Sequence, residues 1–205
     1  MPCVASLASV QPPKFLSSFG RNRGRSLRPY QQGLVDDLLP QLAVDLSNPL
    51  KGCEDYQSIA IEIGFGGGEH LLAQAVHHPE TLFIGCEPFI NGVAKCLAGI
   101  DAQGLKNIRL FTDDARKLLE ALPEASLDSA FILFPDPWPK ARHNKRRLVN
   151  QETLSMLSHV QKPGSRLLVA TDHEDYATWI LEELLTHPDY DWTAECVADW
   201  LTPPA

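Results

Sequence analysis

A chain of 205 residues, 44% hydrophobic and 21% charged, has the size and composition of one globular domain, with 18 Lys/Arg against 26 Asp/Glu and a net charge of −8. No apolar run approaches the roughly eighteen residues of a membrane span, and the opening MPCVASLASVQPPKF lacks the basic and apolar regions of a signal peptide. Cys3, Cys53, Cys86, Cys96 and Cys196 form no CxxC pair or zinc spacing, so a cytoplasmic protein with reduced thiols, no membrane anchor and no metal is expected.

Residues 1–32 are polar, basic and aperiodic and read as a flexible arm, leaving 33–205 as a single domain. Apolar residues at helical spacing follow from Leu34 to Leu46, and Ser47-Asn48-Pro49 stops them. Strand-like runs then appear at Ser58–Ile63, Leu82–Cys86, Ile108–Phe111, Ser129–Phe134 and Arg166–Ala170. They alternate with helical stretches at Gly68–Val76, Ile90–Ile100, Ala115–Ala121, Asn150–Val160 and Asp175–Thr186. Gly104, Pro163 and Gly164 read as helix-end punctuation, and His77-His78 before Pro79 as a helix end. Of the four tryptophans, Trp179, Trp192 and Trp200 read as core. Such alternation predicts an α/β fold, a Rossmann-like doubly wound, mainly parallel sheet between two helix layers.

Ligands of such folds sit at the carboxyl ends of the strands. The residues there are Glu62 with a glycine loop, Glu87, Asp113-Asp114, Asp136 and Thr171-Asp172. This row of acids is hard to explain by folding, because like charges repel. In Ile61-Glu62-Ile63-Gly64-Phe65-Gly66-Gly67-Gly68, glycines let a ligand approach the backbone, while Glu62 suits an ammonium group better than a pyrophosphate. Glu87 is placed to accept ribose hydroxyls, or else to begin a helix before Pro88. Asp114 is placed to take an adenine amino group or to cap a helix, and Asp113 serves equally well. Together these are parts for adenosine with a methionine-like tail, S-adenosylmethionine.

Charge is segregated. Five Lys/Arg fall in 14–28 and five in 140–147, neither stretch holds an acid, and 8 bases face 26 acids elsewhere. Two all-basic runs in an acidic chain predict an anion-binding surface. The second run follows Phe134-Pro135-Asp136-Pro137-Trp138-Pro139-Lys140, where two prolines hold Asp136 on a stiff arm. Trp138 is placed either to stack on a base or to pack against the sheet edge.

The motifs IEIGFGGGEH, FIGCEP, DDAR and above all FPDPWPKARHNKRR resemble the tRNA (guanine-N7)-methyltransferase family, as does the segment FGRNRGRSLRPYQQ; the likeness runs from about Phe19 to Asp175. The resemblance implies the class I S-adenosylmethionine-dependent methyltransferase fold and transfer of a methyl group to a guanine N7 of tRNA, the variable-loop guanine at position 46. It implies a cofactor site at Glu62, Gly64, Gly66, Glu87, Asp114 and Asp136, with Asp136 catalytic. It also implies substrate contacts by Lys140 and Asp172, and RNA contacts by Arg142, His143, Asn144, Lys145, Arg146 and Arg147. Monomer or homodimer is the expected state.

The family's pattern continues into a hairpin-forming tail with a Thr-Lys-Phe-Glu motif, whereas this sequence supplies one strand, about Asp191–Val197, and ends at Ala205. The expectation is therefore that the C-terminal strands are truncated. Two other readings follow: an RNA- or cofactor-binding protein of this fold made inactive by that loss, and a small-molecule methyltransferase. A nicotinamide dehydrogenase is disfavoured by Glu62 and by the G-x-G-G-G spacing.

Overall fold

The computed structural model describes residues 24–196. Five strands form one all-parallel sheet in the order β3-β2-β1-β4-β5: β1 (Ser58–Ile63), β2 (Thr81–Cys86), β3 (Ile108–Phe111), β4 (Leu127–Leu133) and β5 (Gln161–Ala170). Parallel strands covered on both faces are predominantly apolar, and in β1 Ala60, Ile61 and Ile63 are buried with Glu62 as a buried acid among them. On one face Ile61, Ile63, Ile84, Ala130 and Ile132 pack beneath α5 (Ala115–Ala121), α6 (Gln151–Val160) and α7 (Glu174–Thr186). On the other, Ala60, Phe83, Ile108 and Leu110 meet α3 (Glu69–His77), α4 (Ile90–Gln103) and the leading helices α1 (Pro29–Asp37) and α2 (Leu39–Leu42). The three-layer doubly wound expectation holds, and His77-His78 is a helix end.

Several boundaries differ from the sequence reading. The helix expected over Leu34–Leu46 is two pieces beginning at Pro29, because Pro40 has no N–H to continue α1 and restarts the chain as α2. Ala43 then bridges Leu110 and leaves the helical path. Part of the expected flexible arm is therefore packed: α1 starts inside it, and Gly24 N and Arg25 O hydrogen-bond the side-chain amide of Asn91 at 2.8 and 2.7 Å. The remainder of the arm, with Lys14, Arg21 and Arg23, lies outside the described residues.

Pro163 and Gly164 lie within β5, not between elements. A register shift opposite Leu127 and Ser129 absorbs them, so the strand starts at Gln161 and not at Arg166. Residues 191–196 belong to no strand, Val197 and Trp200 lie outside the described residues, and Trp192 is exposed. Trp179 is a core contact, donating its indole N–H to Val149 O at 2.8 Å. Among the described residues no helix is long and apolar enough to cross a membrane.

Candidate active site

The strand order reverses between β1 and β4, and the candidate residues stand around the carboxyl ends of these strands and their neighbours. β1 runs into a loop whose Gly64 donates to Cys86 O at 2.7 Å, pinning the turn to β2. Gly64 and Gly66 have φ of +79° and +56°, and each faces open space where a Cβ would stand. Side chains are disfavoured there for backbone reasons and the peptide surface is left bare to a ligand. The loop is backed by α4: a Cβ on Gly92 would lie 2.2 Å from Gly66 O, so that position admits only glycine without movement.

Glu87 ties the glycine loop to the start of α4. Its Oε2 accepts from Gly66 N at 2.9 Å and its Oε1 from Phe89 N at 2.8 Å. Each oxygen retains a second lone-pair direction. Burial holds the carboxyl above the ordinary value of 4.5 and Asp136 raises it further, while the two backbone donors oppose the shift.

Glu62 is less open than its sequence position implies. Only 4% of its side-chain surface is accessible, and Oε2 is 2.8 Å from His70 Nδ1 on α3. Residue type alone does not mark His70; its contact arises because the start of α3, eight positions after Glu62, brings the imidazole back to that carboxylate. Asp114 is the N-cap of α5, accepting from Arg116 N at 3.1 Å and from Arg116 Nε at 2.9 Å, with a second contact to the same guanidinium. Asp113 pairs with Lys117 and accepts from Asp114 N.

The Asp136 arm is held by more than its prolines. Phe134 N donates to Ala170 O at 2.7 Å, tying the start of the arm to β5, and Arg147 Nε donates to Pro137 O at 3.0 Å, tying its middle. Phe134 and Trp138 both take positive φ, +52° and +43°, on either side of an exposed Asp136. Trp138 packs within the arm: its ring meets His143 edge-on at 5.9 Å and lies 5.0 Å beneath the Arg146 guanidinium. The following residues form a 3-10 helix, Ala141–Arg146, an element the sequence reading did not anticipate.

This short helix sorts the basic run. Lys140, Arg142 and Lys145 are exposed, while His143, Asn144 and Arg146 are partly buried. Burial, then the charges of Arg146, Arg142, Lys140 and Lys145, push the His143 imidazole below its ordinary value. Arg147 departs from its expected RNA contact. Its side chain is only 1% accessible, it pairs with Asp175, and its guanidinium lies over the rings of Tyr176 and Trp179 at 4.9 and 5.1 Å. A cation so enclosed cannot meet a phosphate; it fastens the arm to α7. Asp172 is exposed just before α7, on the strand end next to the arm.

Residues 56–204 match a family model described as putative methyltransferase. A tRNA (guanine-N(7)-)-methyltransferase of Caulobacter vibrioides is 49% identical over 187 residues, covering 90% of this chain and 83% of the relative. One of the same name from Rhodopseudomonas palustris is 47% identical over 193 residues, 91% of this chain and 77% of the relative. The chain belongs to the tRNA (guanine-N7)-methyltransferase family. An antibiotic-related methyltransferase superimposes with a TM-score of 0.51 over 69% of this chain and 73% of its own, at 20% identity. An aminoglycoside resistance methyltransferase gives 0.50 over 73% and 72%, at 22% identity. Both carry the same class I methyltransferase fold.

Proposed function

We propose that this chain transfers a methyl group from S-adenosylmethionine to N7 of a guanine in tRNA, and that it works in the cytoplasm. Support comes from close relatives of that name and from one juxtaposition at the strand ends: a buried acid bonded to a bare glycine loop on one side, and on the other an exposed carboxylate on a doubly tied arm with a cationic helix following it.

The residues fit the cofactor. Gly64 and Gly66 leave backbone room for a ligand, Glu87 keeps acceptor capacity for ribose hydroxyls, and the exposed Asp136 suits a cationic ligand, while Glu62, enclosed against His70, adds negative charge from behind the loop. Asp114 or Asp113 would take the adenine amino group. When bound, S-adenosylmethionine supplies an electrophilic methyl carbon on a sulfonium. Guanine N7 has a free lone pair, so no general base is required of this chain. What the chain contributes is placement, worth about 7–11 kcal/mol when the reacting atoms are aligned. Asp136 adds a fixed negative charge beside a ring that becomes cationic. Lys140 and Asp172 flank the guanine, and Arg142, His143, Asn144, Lys145 and Arg146 hold the RNA by its backbone, which positions without reading sequence.

The test is to incubate the 205-residue chain with S-adenosylmethionine and bulk tRNA and to map 7-methylguanosine. Modification of a variable-loop guanine is expected. Tight S-adenosylhomocysteine binding without any methylated tRNA would replace this reading with that of a binding protein. Methylation of small acidic metabolites alone would move it to small-molecule chemistry.

A further inference from the structure

Two features of Phe134 are left unexplained by folding. It is the large apolar residue with the greatest exposure among the described residues, at 65%. It also stands at φ +52°, a backbone region unfavourable for a bulky L-residue. Burial that would compensate such a conformation is missing, and the backbone bond from Phe134 N to Ala170 O would form with any non-proline side chain. Strain of this kind accumulates where a site requires it. Phe134 lies two residues before Asp136, at the carboxyl end of β4, the strand beside the reversal in strand order.

The other aromatic of the arm is already engaged: Trp138 is packed on His143 and Arg146. The exposed polar side chains that follow Phe134 in the chain are Asp136, Lys140, Arg142 and Lys145. A flat apolar ring at the head of such a run matches a ligand that is aromatic on its faces and charged on its backbone. We infer that Phe134 is the stacking platform for the purine brought to Asp136, held in the left-handed conformation so that its ring faces the substrate. The inference rests on the proposed action on tRNA guanine and adds a specific ring contact to it.

Stacking and phosphate contacts differ in their response to salt, and that separates them. Phe134→Leu should weaken tRNA binding and lower kcat/KM by about 5- to 100-fold, the range for losing one base–aromatic stack. The slope of log affinity against log salt should remain that of the unchanged protein, because no phosphate contact is removed. Phe134→Trp should stay within about threefold of the parent. Phe134→Gly suits φ +52° better than phenylalanine, so its melting temperature should hold or rise while binding falls as in Phe134→Leu. S-adenosylhomocysteine affinity, measured by calorimetry, should be unchanged in all three. Parental tRNA affinity in Phe134→Leu, a changed salt slope, or a drop in the melting temperature of Phe134→Gly would each overturn the platform. The unchanged protein, assayed alongside, separates the two failures. If it forms no 7-methylguanosine the functional reading falls, while the binding comparison still decides whether Phe134 stacks on RNA.

Discussion

The two sides of the strand-end cleft are built on opposite principles. On the β1–β2 side the contacts are short and part-buried, with backbone N–H groups as the donors: Gly64 N to Cys86 O, Gly66 N and Phe89 N to Glu87, with Gly92 leaving room for the loop. On the β4 side the polar groups Asp136, Lys140, Arg142 and Lys145 are exposed, and rigidity comes from two tethers, Phe134 N to Ala170 O and Arg147 to Pro137 O. A small ligand is gripped well by fixed, desolvated atoms whose interactions salt barely screens. A large polyanion needs charges it can reach, and accepts the screening that follows.

The strongest challenge to this division is at Asp136. Asp136→Asn should lower single-turnover methylation by about 10²–10³-fold, the usual loss when one charge-stabilising group is removed, with S-adenosylhomocysteine affinity changed only modestly. Retained full rate would remove Asp136 from the chemistry. Next comes Arg147, which belongs to the folded scaffold although it lies in the basic run. Arg147→Ala should cost about 2–4 kcal/mol in chemical denaturation, from two ring contacts and a charged hydrogen bond. Arg142→Ala with Lys145→Ala should change stability by no more than about 0.5 kcal/mol and reduce the salt slope of tRNA binding by roughly 1.4–1.8. Interchanged phenotypes would mean that the burial pattern misassigns them.

On the glycine side, Gly92→Ala places a methyl group against Gly66 O and should destabilise by about 1–3 kcal/mol. Cofactor affinity should fall with it while the tRNA salt slope stays put, which titration calorimetry and salt-dependent binding would check. The smallest effect expected is the pH response of Glu87. Its folded pKa is raised, so its linkage contribution to stability is fully present below about 4.5 and is lost as pH rises through the folded value. Cofactor affinity should run the other way, weakening as pH falls through that value, because a protonated carboxyl must give up an acceptor position. Glu87→Gln should flatten the pH dependence; an equally steep curve would assign it to another group.

What could be read in advance depended on how local each cause was. β1 and β3 were legible to the residue because each is a short run dominated by β-branched and other large apolar residues and bounded by polar residues or glycine. α5 was legible from its capping aspartate. The start of β5 was not, since Pro163-Gly164 look like a break unless β4 supplies the register shift that absorbs them. Asp136 announced itself through its two prolines. The burial of Arg147 did not, because the run KRR carries no mark of which cation will turn inward; that depends on Tyr176 and Trp179 arriving from α7, some thirty residues later.

Taken alone, the sequence determined the alternation of elements, the glycine loop, the row of strand-end acids and the segregation of basic charge, all of which follow from residue type and near-neighbour spacing. Only the tertiary structure decided the roles within those groups. It turned Glu62 toward His70, made Asp114 a cap, enclosed Arg147 and left Phe134 in the open. Burial and pairing depend on what distant segments bring into contact, and a side chain's charge or aromatic ring does not specify in advance which neighbour will meet it.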